Sequence, residues 1–206
     1  MDIRRKIGAV ITAACMSTRM GALKQILPLG EKTIIEVVVS HFINAGVDEI
    51  VVVAGYRSEE IHEVLKGYPV TIVENPDYAT TQMFDSVKIG LNHIKDHCDR
   101  IFFTPVDVPA FNESTLAAER SSDAPIVIPV SDGETGHPIL LNVSLIPDIL
   151  NYQGERGLEG ALRSLSVEKC YLDVDDRGSL MDADTPKEYR EVRQYYEMEN
   201  TEDFKP

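Results

Sequence analysis

Apolar residues in this chain gather into short runs, separated by stretches in which they recur every three or four positions. The runs Ile7–Ala13, Glu49–Ala54, Val70–Glu74, Arg100–Thr104 and Pro125–Val130 are short and mostly apolar, and they predict strands. Between them, apolar residues at helical spacing predict helices over Thr33–Ala45, Ser58–Leu65, Met83–His97 and Asn112–Arg120. Nearly continuous apolar strands are covered on both faces, and an intervening helix is the connection that parallel pairing requires. The pattern therefore predicts an α/β fold with a mostly parallel sheet covered by helices. Ligands of such sheets bind beyond the carboxyl ends of the strands, where the loops starting at Ala14, Asn75 and Pro105 would emerge together. Thr185-Pro186 reads as the cap and first residue of a last helix over Lys187–Met198, and Glu199–Pro206 as an acidic tail expected to be disordered.

The first run gives way to a small-residue loop carrying Arg19, Gly21 and Lys24. A buried strand ending in such a loop directs backbone N–H groups and two fixed cations at one spot, which suits a polyphosphate. Arginine grips two phosphate oxygens in a planar fork, and lysine adds a compact point charge. The alternative is an ordinary turn whose cations face water. Two better known phosphate loops are absent. The nearest approach to G-x-x-x-x-G-K-[ST], Gly30-Glu31-Lys32-Thr33, puts a carboxylate where the second glycine belongs, and no G-x-G-x-x-G follows a candidate strand.

Composition narrows the function classes. A chain of 206 residues that is 43% hydrophobic supports one substantial core, so residues 1–198 are expected to form a single domain. A net charge of −14 argues against a nucleic-acid partner, which demands a basic face, so an anionic ligand must be met locally. Cys15, Cys98 and Cys170 form no C-x-x-C, which points away from a disulfide framework or zinc knuckle and toward a reducing cytoplasm. Arg4-Arg5-Lys6 before Ile7–Ala14 and Cys15 mimics a lipoprotein leader, but the cationic loop that follows favours a first strand. No run approaches the ~20 apolar residues of a membrane helix, so no membrane partner is expected. His93 and His97 stand one helical turn apart, but no glutamate completes H-E-x-x-H, and zinc is disfavoured.

Ala13-Ala14-Cys15-Met16-Ser17-Thr18-Arg19-Met20-Gly21, with Lys24 and Leu27-Pro28-Leu29 behind it, resembles the signature L-A-A-G-x-S-x-R-M-G-x-x-K-x-L-P-L of the MobA/MocA-type nucleotidyltransferases. It is most similar to their molybdenum cofactor cytidylyltransferase branch. Further similarities follow in order: Asn75 and then Met83-Phe84-Asp85-Ser86-Val87 with Gly90-Leu91, Asp107-Val108-Pro109, Gly136-His137-Pro138, Gly154-Glu155-Arg156-Gly157, and Asp182-Ala183-Asp184-Thr185-Pro186. The resemblance spans nearly the whole chain and implies a Rossmann-like three-layer α/β/α fold of the nucleotide-diphospho-sugar transferase type.

It also implies roles. Arg19, Lys24 and Asp107 would be catalytic, the two cations neutralising phosphates as pyrophosphate departs. Ala13, Ala14, Cys15, Arg19, Gly21, Lys24, Asn75 and Ser86 would bind the nucleotide, and His137, Gly154 and Gly157 the acceptor. Asp107, with Asp182 or Asp184, would hold Mg²⁺. Each has a plainer reading: Asp107 as a turn former, Asp182 and Asp184 as helix caps, Asn75 as a turn start before Pro76, His137 as a structural histidine. The implied reaction is transfer of CMP from CTP to a phosphate-bearing acceptor, molybdopterin or molybdenum cofactor, with a molybdoenzyme or its chaperone as a further partner. A guanylyltransferase of the same pathway, a sugar or polyol-phosphate cytidylyltransferase and a non-catalytic nucleotide-binding relative are the alternatives. The cytidylyl branch reads A-A-G where the guanylyl branch reads A-G-G, so the Ala14 methyl favours a pyrimidine. Cys15 and Gln82 stand where the family has glycine, and a side chain at either position is expected to crowd the phosphates or alter the loop.

Overall fold

The computed structural model describes residues 5–16 and 20–202. The elements are β1 (Ile7–Thr12), β2 (Pro28–Leu29), β3 (Lys32–Thr33), α1 (Ile34–Asn44), β4 (Glu49–Ala54), α2 (Ser58–Val64), β5 (Thr71–Glu74), α3 (Met83–Ile94) and β6 (Arg100–Pro105), followed by α4 (Glu113–Arg120), β7 (Ile126–Ser131), β8 (Glu134–Thr135), β9 (Ile139–Asn142), α5 (Ile146–Asn151), α6 (Gly157–Ser164), β10 (Lys169–Asp173) and α7 (Pro186–Glu202). The main sheet has eight strands in the order β10-β7-β9-β6-β1-β4-β5, with β8 paired to β7, while β2 and β3 form a separate hairpin. The pairs β1/β4, β1/β6, β4/β5 and β7/β10 are parallel. β9 runs antiparallel between β6 and β7, so the sheet is mostly parallel with one reversed inner strand.

Alternation along β1 explains the layers. Ile7, Ala9 and Ile11 face a core shared with α1, α2, α4 and α7 through Phe42, Ile61, Leu116 and Val192. Val10 faces the opposite core, with Val87, Leu91 and Ile94 of α3, Ile149 of α5 and Leu162 of α6. Each fully buried valine or isoleucine contributes about 1.5–3 kcal/mol, and β1 has three at 5% exposure or less, Ile7, Val10 and Ile11, so the strand that carries the site loop is firmly anchored. Gly90 lets α3 lie close to this sheet, because a Cβ there would come within 2.4 Å of Val10 Cγ1.

Elements over-read or missed by the sequence pattern have local causes. α3 stops at Ile94, short of His97, because the run to Cys98 is a turn that feeds β6. α7 continues through Glu202, so residues 199–202 of the segment read as a disordered tail are helical. β8, β9, β10, α5 and α6 fall in the half of the chain where apolar runs are short and edges are half-exposed.

Candidate active site

After β1 the chain builds β4 and β5 on one side of that strand, then crosses back to lay β6 on the other. β1 and β6 are therefore the pair where the winding reverses, and a crevice opens at their carboxyl ends. Thr12 lies opposite Pro105 in register there. The crevice is a cleft of about 380 Å³ lined by Thr12 at the end of β1 with Ala14, Cys15 and Met16 beyond it, Pro105 at the end of β6 with Asp107 beyond it, Tyr78, Ala79, Thr81, Gln82, Met83 and Ser86 around the start of α3, and Lys24 and Asp184.

Lys24 begins a short 3-10 turn, Lys24–Ile26, and its side chain is only 4% exposed. Its Nζ donates to Asp107 Oδ2 at 2.5 Å and to Asp184 Oδ1 at 2.6 Å. Burial, the largest single influence, works against the charged ammonium, but the Asp107 charge, Cys15 and the hydrogen bonds to Asp107 and Asp184 together outweigh it and hold Lys24 above its ordinary value. The Ala183 N–H donates to the Asp107 carbonyl at 2.8 Å, which ties the two carboxylate-bearing segments together. Asp184, not Asp182, is thus the residue of that pair whose carboxylate reaches Lys24 and lines the cleft. Partial burial, then the proximity of Asp107 and Asp184, pushes the Asp182 carboxyl up to about 6.

Asp107 Oδ1 is buried with no hydrogen-bond partner. Two acidic side chains that share one buried cation, one of them with an unsatisfied oxygen, suit a hard divalent ion. Among the described residues no three His, Cys, Asp or Glu side chains converge on such a position. The donor set is therefore that of an ion that takes one or two carboxylates and completes its shell with substrate phosphates and water, as Mg²⁺ does.

Arg19 lies outside the described residues. Gly21 sits in a turn at φ +67°, a conformation that suits glycine. Ala13 is fully buried behind the cleft, and its carbonyl accepts from Gln25 Nε2 at 2.8 Å. Gln25 also donates to the Cys15 carbonyl at 3.1 Å, so this buried amide braces the loop from beneath. Sequence reasoning missed Gln25; its signal is a lone polar residue between a cation and an apolar Leu-Pro-Leu run. Cys15 is exposed and is not among the residues with positive φ, and Gln82 caps α3 at φ −94°, its N–H donating to Asp85 Oδ2 at 2.8 Å. Neither backbone needs the freedom of glycine.

Asn75 is buried behind the wall, where its Nδ2 donates to Thr81 Oγ1 and Ser86 Oγ, both at 3.0 Å, while its Oδ1 accepts the Asp77 N–H at 3.1 Å. It positions two cleft residues and also makes the turn. A second cleft of about 450 Å³ shares Gln82 and Met83 with the first and is mainly apolar, with Phe84, Phe103, Ile128 and Leu162 beside His137, Arg156 and Gly157. Burial pushes His137 down to about 4, outweighing Asp107 and a backbone bond to Phe103, so the ring is neutral; its Nδ1 is buried without a partner. Gly157 lines this cleft at φ +56°, whereas Gly154 lies outside the lining and packs against the Tyr152 ring. Cys98 is buried, Cys170 is partly buried, and no disulfide forms among the described cysteines. No described helix is long and apolar enough to cross a membrane.

A nucleotide-sized cleft at the switch point of a mostly parallel sheet, with a lysine and two carboxylates converging on it, defines a nucleotidyltransferase. The chain belongs to the MobA-like NTP transferase family, whose model matches residues 9–170. It is 28% identical to the molybdenum cofactor cytidylyltransferase of Escherichia coli over 92% of this chain and 97% of that protein. It is 26% identical to a Paenarthrobacter nicotinovorans protein named nicotine blue oxidoreductase, over 87% of this chain and 92% of the other. A solved nucleotidyl transferase from Methanothermobacter superposes with a TM-score of 0.82 at 25% identity, covering 94% of this chain and 99% of that one. The α/β fold is that of the nucleotide-diphospho-sugar transferases.

Proposed function

We propose that the protein transfers CMP from CTP to a phosphate-bearing acceptor of the molybdenum cofactor type, releasing pyrophosphate. The observation that carries this reading is Lys24 joined to Asp107 and Asp184 in a cleft that shares Gln82 and Met83 with a second, mainly apolar one. The first cleft takes the triphosphate and base, with Ala14 limiting the room beside the base and Ser86 offering a hydroxyl. The second takes the ring system of the acceptor against Phe84, Phe103 and Leu162, beside the neutral His137. An oxygen of the acceptor phosphate attacks the α-phosphorus of CTP in line, the bond to the β-phosphate breaks, and Lys24 with Arg19 neutralises the departing pyrophosphate. Asp107 and Asp184 would hold Mg²⁺, which when bound neutralises and orients the triphosphate. A cytoplasmic setting and delivery to a molybdoenzyme or its chaperone go with this reading.

The test is a screen of CTP, GTP, ATP and UTP against phosphorylated acceptors, followed by pyrophosphate release and thermal shift. CTP is expected to bind ~10-fold more tightly than GTP, about 1.4 kcal/mol. A GTP preference would move the chain to guanylyl transfer. The likeness to a relative named an oxidoreductase favours a second reading, electron transfer to a ligand in the apolar cleft. Nicotinamide-dependent turnover with no pyrophosphate release under any pairing would establish it instead.

A further inference from the structure

We infer that Lys24 is the resident counter-ion of the metal site, occupying the two carboxylates until a triphosphate draws it away, so that metal and nucleotide bind as a linked pair. This rests on the reading of Asp107 and Asp184 as metal-holding residues. Lys24 Nζ is 2.5 Å from Asp107 Oδ2 and 2.6 Å from Asp184 Oδ1, so the ammonium sits where a cation shared by these carboxylates would have to sit. Its side chain is 4% exposed against 17% and 27% for the two partners, so water screens the cluster poorly. A divalent ion entering alone meets a fixed positive charge and only two protein ligands, since no third His, Cys, Asp or Glu converges among the described residues.

A triphosphate changes both terms. It brings oxygens that complete the shell of the ion and offers Lys24 an anion that the carboxylates can no longer supply. The lysine then exchanges partners instead of being stranded, and burying an uncompensated charge is avoided. Gln25, fixed to the Ala13 and Cys15 carbonyls, holds the turn that carries Lys24 steady, so a swing of the long side chain is enough for the exchange. The unpartnered Asp107 Oδ1 is the acceptor that Lys24 leaves unused, and it is available to an ion.

Mn²⁺ serves as the probe, followed by electron paramagnetic resonance and calorimetry on the full-length protein without turnover. Wild type is expected to bind Mn²⁺ at least ~10-fold more tightly with a non-hydrolysable CTP analogue present than without it. Lys24→Met is expected to bind Mn²⁺ alone at least ~10-fold more tightly than wild type and to lose most of that coupling. Lys24→Gln, which retains an N–H donor for the carboxylates, should behave likewise and serves if the methionine variant folds poorly. Equal Mn²⁺ affinity in wild type and both variants overturns the counter-ion role while leaving the transfer reading intact. Failure of every protein to bind Mn²⁺, with or without the analogue, overturns both.

Discussion

His137 gives a measurable acid sensitivity whose sign and size follow from its surroundings. Its ring borders the apolar cleft, packs edge-on to Phe103 at a centroid distance of 5.8 Å, and titrates near 4 because burial disfavours the imidazolium. In the unfolded chain the same group titrates near 6.5, so the unfolded state binds more protons at every pH between the two values. The stability associated with the neutral ring is therefore fully present above pH 6.5 and is lost as the pH falls toward 4. Displacement from 6.5 to about 4 corresponds to about 3 kcal/mol, a ceiling because the residue keeps a partly exposed edge. Urea denaturation of wild type, His137→Phe and His137→Gln at pH 7.5, 6, 5 and 4.5 isolates the contribution. Both variants should lose less stability on acidification than wild type, with a gap of about 1–3 kcal/mol opening by pH 4.5. Parallel curves for all three proteins would refute the buried, neutral histidine.

Two further outcomes are expected. Asp107→Asn should lower metal-dependent turnover at least ~100-fold, because an amide is a poor ligand for a hard cation and is a weaker partner for Lys24; calorimetry of metal with CTP should show weakened joint binding. Glu119 in α4 is fully buried with both carboxylate oxygens unpartnered, and burial pushes it well above the ordinary carboxyl range, with nearby Asp176 adding to the effect and Arg100 opposing it. Its stability contribution is complete below about pH 4.5 and is lost as pH rises through the raised value. Glu119→Gln should therefore gain steadily on wild type in melting temperature as the pH increases from 5 to 9. Melting curves from pH 5 to 9 that keep a constant difference would contradict this.

The legible part of the sequence is the part where one physical signal dominates. β1, β4 and β6 lie inside the sheet, so their apolar runs are unbroken, and their bounds follow the pattern to within a residue. β9 and β10 were not legible: β9 is four residues long, and β10 is an edge strand whose alternate residues are exposed. Asp107, Lys24 and Asp184 could be picked out because each lies in a short motif at an element boundary. What no spacing rule conveys is that Lys24 turns inward onto the two carboxylates, since the three lie 83 and 160 positions apart along the chain. The same holds for Asn75, whose amide bonds to Ser86 and Thr81 and places it behind the cleft wall. The glycine positions filled by Cys15 and Gln82 looked threatening only because a family pattern records residue type without the dihedral. Gln82 at φ −94° is an ordinary helix cap, and Cys15 adopts no left-handed backbone.

The charge of the whole chain and that of the cleft bear on how an anionic substrate enters. The protein carries a net charge of −14, and the described residues lining the first cleft include Lys24 against Asp107 and Asp184. Those side chains leave the cleft mouth with more negative than positive charge, in a molecule whose long-range field also repels anions. A bare triphosphate approaches against both. A triphosphate already neutralised in part by a divalent cation approaches against much less, and under the proposed function it would bring that cation to Asp107 and Asp184 and its remaining charge to Lys24. Site and substrate each arrive incompletely balanced. The proposed function therefore predicts that cation and nucleotide bind productively together, and that turnover, measured while metal and nucleotide are varied independently, follows the concentration of the metal–nucleotide complex more than that of either species alone.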